Sequence, residues 1–336
     1  MKKMITLIMV IMALLLTACG GPKEEKVEDN GALKVGLVLS TGGLGDKSFN
    51  DSAYAGLKEA EEKLGVKIKY VEPANVSEFD TFLRQFAEAD YDLIVGIGFQ
   101  MRDSIVKVAE EYPAVHFLMV DEPIDMPNVI SATFNEPEGS FVAGALAGMM
   151  TKTDTIGFIG GMEVPLIKRF GDGFMAGAKY INPEITTFEA YVGGNSPFND
   201  PARGKEMALS MIDSKADVVY HAAAGSGMGV FEAAKERGVY GVGVDSNQDG
   251  VVPGTVLTSM LKKVDKAVFA IIKETKEKGF TAGQKDFNLA NDGVGITDLQ
   301  YTKDQISEDK LKRIEEIKAD IISGKIDVAA EMSKLK

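Results

Sequence analysis

Short apolar runs alternate with amphipathic segments along most of the chain, and this alternation occurs twice. Runs rich in Val, Ile and Leu predict buried strands, whereas apolar residues spaced three or four apart predict helices. The first round predicts strands at 33–39, 67–71, 93–97, 116–120 and 129–134, with helices at 51–64, 78–89 and 103–112. The second round predicts strands at 155–160, 186–191, 218–222 and 240–244, with helices at 166–179, 202–214 and 229–237. A tail adds strands at 256–260 and 294–299 and helices at 264–278 and 308–322. This order predicts an α/β fold of two doubly wound parallel-sheet lobes.

The near-equal spacing of matching residues indicates that the two rounds form similar lobes. Gly36 and Asp121 lie 85 residues apart, and their counterparts Gly157 and Asp245 lie 88 residues apart. Ligands of open parallel sheets bind beyond the carboxyl ends of the strands, so facing lobes would place Asp121 and Asp245 on opposite walls of one cleft. We therefore expect hinge crossovers between a first lobe, 32–134 plus about 260–295, and a second lobe, 135–259 plus about 296–336.

The first 31 residues are predicted to direct and anchor the chain rather than to join the lobes. Two lysines precede an apolar stretch that is too short for a permanent membrane helix, as in a secretory signal covering residues 1–18. It ends in Leu-Thr-Ala-Cys19, which resembles the bacterial lipobox, and Cys19 is the only cysteine of the chain. We predict acylation of Cys19, followed by a charged, flexible tether through residue 31 and attachment to the extracytoplasmic face of the cell membrane.

Composition removes several classes of function. The 336 residues carry 37 Lys+Arg and 50 Asp+Glu, a net charge of −13, which disfavours nucleic acid as a partner. With one cysteine and two distant histidines, neither a disulfide nor a transition-metal site is expected, and we expect no cofactor. The Gly144-Ala-Leu-Ala-Gly148 segment has membrane-dimer spacing in a stretch too short to span a bilayer, so we interpret it as a packing contact.

Two loops resemble ion or phosphate sites but lack a required residue. In the glycine-rich loop 41–48, Asp46 stands where a phosphate loop needs its last glycine and would repel the phosphates. The acidic loop that begins at Asp245 resembles half of a calcium loop, but Val256 replaces the bidentate Glu at position twelve. We therefore expect neither nucleotide phosphate nor tight calcium binding.

Two segments share the pattern aromatic-Asn-Asp ahead of a predicted helix, at Phe49 and at Phe198. Capping of the helices explains the Asn and Asp residues, but it does not explain the aromatic residues. Each ring could be a hydrophobic staple against its own helix. Alternatively, both rings face the cleft and enclose a flat ligand, where base–aromatic stacking contributes about 1–3 kcal/mol per face.

Taken in order, these motifs resemble the basic membrane protein family, the purine-nucleoside-receptor type of ABC-transporter substrate-binding lipoprotein. The resemblance rests on the lipobox, the Asp46–Asp51 loop, Val120-Asp121, Phe198-Asn-Asp, Ala224-Gly-Ser-Gly, Gly243-Val-Asp245 and Thr258-Ser-Met-Leu-Lys262. It implies a periplasmic-binding-protein type I-like fold that delivers a purine nucleoside, such as guanosine, inosine or adenosine, to an ABC permease. It also implies the roles of eight residues. Phe49 and Phe198 stack on the base, Asp121 accepts hydrogen bonds from its polar edge, Asn50 and Asp46 line the same wall, and Gly225, Asp245 and Lys262 hold the ribose.

Other functions stay open at this level. The cleft could bind a sugar or another aromatic solute, or Asp121 and Asp245 could form the carboxylate pair of a nucleoside or glycoside hydrolase. A sensor or adhesin that binds another protein is a third class. The resemblance favours a binding protein without enzymatic activity, and it favours Lys262 over the adjacent Lys263 as the lysine in the cleft.

Overall fold

The computed structural model describes residues 31–335, whose strands form two six-stranded sheets. The predicted signal, the lipidation site at Cys19 and nearly all of the tether lie outside these residues. The first sheet contains β1 (Lys34–Val38), β2 (Lys67–Val71), β3 (Leu93–Ile97), β4 (His116–Val120), β5 (Val129–Phe134) and β11 (Gly283–Phe287). The second contains β6 (Thr155–Gly160), β7 (Thr186–Tyr191), β8 (Val218–Ala222), β9 (Tyr240–Asp245), β10 (Val256–Lys262) and β12 (Val294–Ile296).

The two sheets have the same strand order, β11-β5-β4-β3-β1-β2 in the first and β12-β10-β9-β8-β6-β7 in the second. All neighbours are parallel except β10 and β12, which are antiparallel. The correspondence makes β4 the counterpart of β9, as the matching Asp121 and Asp245 predicted. The central strands are apolar and buried because helices cover both faces, whereas the edge strands β2, β7 and β11 carry polar residues.

Ten α-helices lie between and after these strands in the part of the chain described. In the first lobe they are α1 (Phe49–Leu64), α2 (Phe79–Glu88), α3 (Arg102–Glu111) and α8 (Val264–Lys278). In the second they are α4 (Glu136–Met150), α5 (Pro165–Ile181), α6 (Pro201–Asp213), α7 (Gly227–Arg237), α9 (Glu308–Ile322) and α10 (Val328–Ser333). None of the helices within residues 31–335 combines the length and the apolar character needed to cross a membrane.

The chain passes between the lobes three times: after β5, after β10 and between β11 and β12. The first lobe therefore holds residues 34–134 and 264–287, and the second holds residues 136–262 and 294–333. The predicted boundary near 260 falls inside β10, which stays in the second sheet as far as Lys262. Likewise, β12 pairs with β10, so residues 294 and 295 belong to the second lobe rather than the first.

Helix α4 was not predicted, because apolar residues occupy all of its sides and leave no amphipathic pattern. It packs closely against α5 through small residues. A side chain at Gly144 would place its Cβ 1.9 Å from the carbonyl oxygen of Phe174, and one at Gly177 would place it 2.0 Å from that of Phe141. The interpretation of the Gly144–Gly148 segment as a packing contact is confirmed.

Candidate functional site

A cavity of about 570 Å³, counted with the space open to solvent, lies between the lobes. The loops that follow β1, β3 and β4 form its wall in the first lobe. In the second lobe the wall is formed by the segments that follow β6, β7 and β8 and by the carboxyl ends of β8, β9 and β10. Six of the eight predicted binding residues line the cavity: Phe49, Asn50, Asp121, Phe198, Asp245 and Lys262.

The two carboxylates reach the cavity from equivalent strand ends. Asp121 follows β4 directly and Asp245 is the last residue of β9, and both are buried. Their backbones adopt φ angles of 95° and 63°, in a region that residues other than glycine rarely occupy. Such conformations cost of order 1–3 kcal/mol each and persist at functional sites where the surrounding structure imposes them.

Lys262, at the end of β10, is the most deeply buried cation of the cavity, with 1% of its surface exposed. Its Nζ lies 2.5 Å from Oδ1 of Asp121 and 3.2 Å from Oε1 of Glu136. The rings of Phe49, Phe134 and Phe170 surround the ammonium, with centroids 5.1–5.5 Å from Nζ. The adjacent Lys263 turns away and pairs with Asp292.

The charge of Lys262 is maintained by its carboxylate neighbours. Burial alone would disfavour the ammonium, but Asp121, Glu136 and Asp245 outweigh it and raise the pKa of Lys262 above its ordinary value. The lysine is therefore a fixed positive charge inside an otherwise acidic cavity. Because an ammonium has three N–H donors, Lys262 retains donor capacity beyond its two acidic partners.

Glu136 belongs to this group but was not identified from the sequence. It is the first residue of α4, is completely buried, and accepts a bond from Nε of Arg169 at 3.1 Å on the side away from Lys262. In the sequence, an acidic residue in the first turn of a helix is explained by the helix dipole alone. Only the tertiary packing places it against a buried lysine.

Asp245 lies in a different electrostatic setting. Its carboxylate accepts a short hydrogen bond from the Ser48 hydroxyl of the first lobe. Burial raises the pKa of Asp245 to about 7, with Lys262 and Ser48 opposing the shift. Near neutral pH this carboxyl is consequently a weak acid that can exchange its proton.

Asp46 and Gly225 are predicted binding residues that do not line the cavity. The Asp46 carboxylate accepts the backbone N–H groups of Ser48, Asn50 and Asp51 at 2.9–3.2 Å, so it binds the start of α1. Gly225 packs behind the wall against the backbone of Phe198, and its neighbour Ala224 lines the cavity.

Asp46 also orients Asn50, which does line the cavity. Nδ2 of Asn50 donates to Asp46 at 3.1 Å, and Oδ1 accepts from the backbone and the hydroxyl of Ser40 at 3.0 Å. Helix α1 thus begins at Phe49 with Asp46 binding its N–H groups, and the expectation that Asn50 or Asp51 caps it is wrong. In the second lobe Asp200 does cap α6, accepting the N–H of Arg203 at 3.0 Å.

Both predicted aromatic residues line the cavity, each half-buried, although their loops are not equivalent. Phe49 follows β1, whereas Phe198 follows β7, and the segment after β6 supplies Leu166 and Ile167 instead. The Phe198 ring lies directly on Gly161, where a Cβ would be 2.2 Å from Cε1 of the ring.

A third ring, Phe99, was missed by the sequence analysis. It follows β3 in the first lobe, lines the cavity, and meets Phe198 edge to face across the cleft, with centroids 6.5 Å apart and planes at 68°. The adjacent Gln100 reaches Met162 of the second lobe. The apolar sequence around Phe99 resembles core, and only its position after a strand end could have indicated a cleft residue.

Together these groups suit a neutral, partly flat solute with several hydroxyl or N–H donors. Aromatic faces supply stacking, and the carboxylates and Lys262 supply charge-assisted hydrogen bonds. Within residues 31–335 no group of three or more His, Cys, Asp or Glu residues could hold a metal ion.

Comparisons with known proteins agree with this geometry. The family described as "Bmp: ABC transporter substrate-binding protein PnrA-like" matches residues 33–332. The chain is 37% identical to the "CD4+ T-cell-stimulating antigen" of Listeria innocua, over 95% of each chain. It is 36% identical to the "ABC transporter nucleoside-binding protein BmpA" of Lactococcus lactis, over 89% of this chain and 90% of the relative. A crystal structure of an ABC transporter solute-binding protein from Aeropyrum pernix superposes with a TM-score of 0.81 at 30% identity, covering 88% of this chain and 92% of the other. The expected solute-binding fold is confirmed.

Proposed function

The chain belongs to the Bmp family of PnrA-like ABC transporter substrate-binding proteins, and on that basis we propose that it binds a purine nucleoside between its lobes and delivers it to an ABC permease. One observation carries the proposal: Phe49, Phe198, Asp121, Asp245 and Lys262 converge in a single cavity. A nucleoside has the matching chemistry, because it joins a flat base with polar edges to a sugar rich in hydroxyl groups.

Each cavity group has a role in this proposal. Phe49 and Phe198 stack on the base, and Asp121 accepts hydrogen bonds from N–H groups at its edge, beside Nδ2 of Asn50, which carries a second N–H besides the one that binds Asp46. Asp245 accepts from ribose hydroxyls, to which Lys262 donates. Two stacked faces plus several charge-assisted bonds are sufficient for micromolar affinity, about −8 kcal/mol.

Binding is proposed to stabilise the closed form of the two lobes. The lobes already make contact beside the cavity, where Oγ of Ser246 donates to the carbonyl of Ser48 at 3.2 Å and Nε2 of Gln248 donates to that of Lys47 at 3.0 Å. A solute that contacts both walls adds bonds that exist only when the cleft is closed, so it shifts the population toward that form. The closed form is the one that the permease would recognise.

The proposal places the protein on the extracytoplasmic side of the membrane. Cys19 would carry the lipid anchor, since several acyl chains on one residue give stable attachment. Radiolabelled palmitate should be incorporated into the wild-type protein expressed in a bacterium and not into Cys19→Ala. Equal labelling of both proteins would contradict the anchor.

A thermal-shift panel tests the ligand. Inosine, guanosine or adenosine should raise the melting temperature, whereas ribose alone should not, because it lacks the base that stacks on the rings. Stabilisation by ribose or another sugar, with no response to nucleosides, would refute the nucleoside proposal and favour a sugar-binding protein.

The same samples test for catalysis. We propose that no bond of the solute is broken, since Asp121 is paired with Lys262 and neither histidine lines the cavity in the described part of the chain. His221 is buried in β8, where burial lowers its pKa to about 3 and keeps it neutral. Chromatography after incubation with guanosine should show no free base, and its appearance would establish a nucleoside hydrolase instead.

A further inference from the structure

Four charged side chains of alternating sign run from the first lobe into the second. Asp121 lies next to Lys262, Lys262 next to Glu136, and Glu136 next to Arg169. Asp121, Lys262 and Glu136 are almost completely buried, and of the four only Arg169 reaches solvent, with 39% of its side chain exposed. Charges so deeply buried require partners, because an isolated one would be strongly disfavoured.

The cleft divides these four charged residues unequally between the lobes. Asp121 follows β4 of the first lobe, whereas Lys262, Glu136 and Arg169 lie on β10, α4 and α5 of the second. Lys262 therefore has one acidic partner in each lobe. When the lobes separate, Glu136 moves with Lys262 and Asp121 does not.

The ion pair between Asp121 and Lys262 joins the two lobes at the place where the solute is proposed to bind. Lys262 binds Oδ1 of Asp121, but an ionised carboxylate has two oxygens with about four acceptor sites, so a solute N–H can share Asp121 with the ammonium. The position of the ammonium then depends on the attraction of both of its acidic partners. We propose that Glu136 is a positioning residue: it holds the Lys262 ammonium in the second lobe when the solute engages Asp121. Arg169 in turn fixes the orientation of the Glu136 carboxylate, binding its outer oxygen and leaving the inner one toward Lys262.

This inference rests on the proposed function, since it assigns Asp121 to the solute. Glu136→Gln keeps the shape of the side chain and removes its charge, so Asp121 would become the principal acidic partner of Lys262 and would draw the ammonium away from the ribose hydroxyls to which it is proposed to donate. We expect the dissociation constant for the best nucleoside, measured by calorimetry, to rise at least about tenfold. Glu136→Asp, which restores the charge on a shorter side chain, should recover part of the affinity.

Glu138→Gln is the matched control. Glu138 lies in the same first turn of α4, but its carboxylate accepts from the backbone of Leu289 at 2.8 Å and from Asn135 at 2.7 Å, away from the cavity. Its affinity should equal that of the wild type. If Glu136→Gln also binds like the wild type, the positioning role is refuted while the nucleoside proposal stands.

A double-mutant cycle with Lys262→Met tests whether Glu136 interacts with Lys262, and the affinity measurements above test what that interaction does for binding. If Glu136 acts through Lys262, the two substitutions are non-additive in the free energy of unfolding of the ligand-free protein. Additive effects would overturn the inference. This measurement does not depend on the ligand, so it decides the pairing even if the wild type binds no nucleoside and the proposed function fails.

Discussion

Phe198→Ala tests the aromatic part of the site most directly. The ring lines the cavity, lies on Gly161 and meets Phe99 edge to face, so its removal takes away one wall of the cleft without touching a charged group. Stacking on one face contributes about 1–3 kcal/mol, and each 1.4 kcal/mol changes an affinity about tenfold. We expect the dissociation constant for inosine or guanosine to rise by about 5- to 150-fold.

The protein should nevertheless remain folded. Removing a fully buried Phe costs about 3–5 kcal/mol of unfolding free energy, and Phe198 is only half-buried, so its loss should cost less. Calorimetric titration gives the affinity, and urea unfolding without ligand gives the stability. Phe188→Ala is the matched control, because that ring is also half-buried in the second lobe but packs on a cluster outside the cavity. It should lose stability and keep its affinity.

Gly161→Ala provides an independent form of the same test. The added methyl group would lie 2.2 Å from Cε1 of Phe198, so the ring must move although every atom of it remains. We expect weaker nucleoside binding here as well. If Phe198→Ala and Gly161→Ala both bind nucleosides as the wild type does, the Phe198 ring is not a stacking surface and the reasoning is wrong.

Three further predictions concern charge and packing. The pKa of Asp245 is about 7 in the folded protein, against an ordinary 3.8, so the folded state binds this proton more tightly than the unfolded state does. The stabilisation that the bound proton provides is lost as the pH rises. The unfolding free energy of the wild type relative to Asp245→Asn should therefore fall between about pH 4 and about pH 7 in urea titrations, and a constant difference would contradict the assigned pKa. Nucleoside 5′-monophosphates should bind at least about tenfold more weakly than the nucleosides at about pH 8, where Asp245 is ionised, since the carboxylates of Asp121 and Asp245 repel the phosphate; equal calorimetric affinities would count against the acidic cavity. Gly177→Ala should lose about 1–3 kcal/mol of unfolding free energy in urea, because its Cβ would meet the α4 backbone at 2.0 Å, and an unchanged midpoint would refute the close crossing of α4 and α5.

Sequence patterns predicted the buried strands well and failed for elements that show no contrast between apolar and polar positions. Leu93–Ile97 and Val218–Ala222 are short apolar runs between turns, so their type and bounds follow from composition. Helix α4 has apolar residues on every side, and strand β11, Gly-Gln-Lys-Asp-Phe, has almost none, so neither shows the periodicity of its own structure. Tertiary packing alone determines these two elements.

Site residues were predictable where the order of the strands determines their position, and they were missed where side-chain packing determines it. Asp121 and Asp245 end equivalent strands, so the repeat alone brings them to one cleft. Glu136 resembles an ordinary acidic residue at a helix start, and its pairing with Lys262 depends on how α4 crosses the second lobe. Asp46 shows that the position of a residue in a loop does not reveal its contacts: a carboxylate in a glycine-rich loop after a strand resembles a ligand group, and here it binds the backbone of α1 and does not line the cavity.

The left-handed backbone at Asp121 and Asp245 restricts how this cleft can change its chemistry. Apart from glycine, only Asn and Asp enter that conformation readily, so most replacements would add strain at the wall that contacts the solute. Asn keeps the backbone and exchanges an acceptor-only group for one that also donates. A descendant of this chain with altered solute preference would therefore be expected to vary Asn against Asp at these two positions, and to make larger changes in the surrounding aromatic residues.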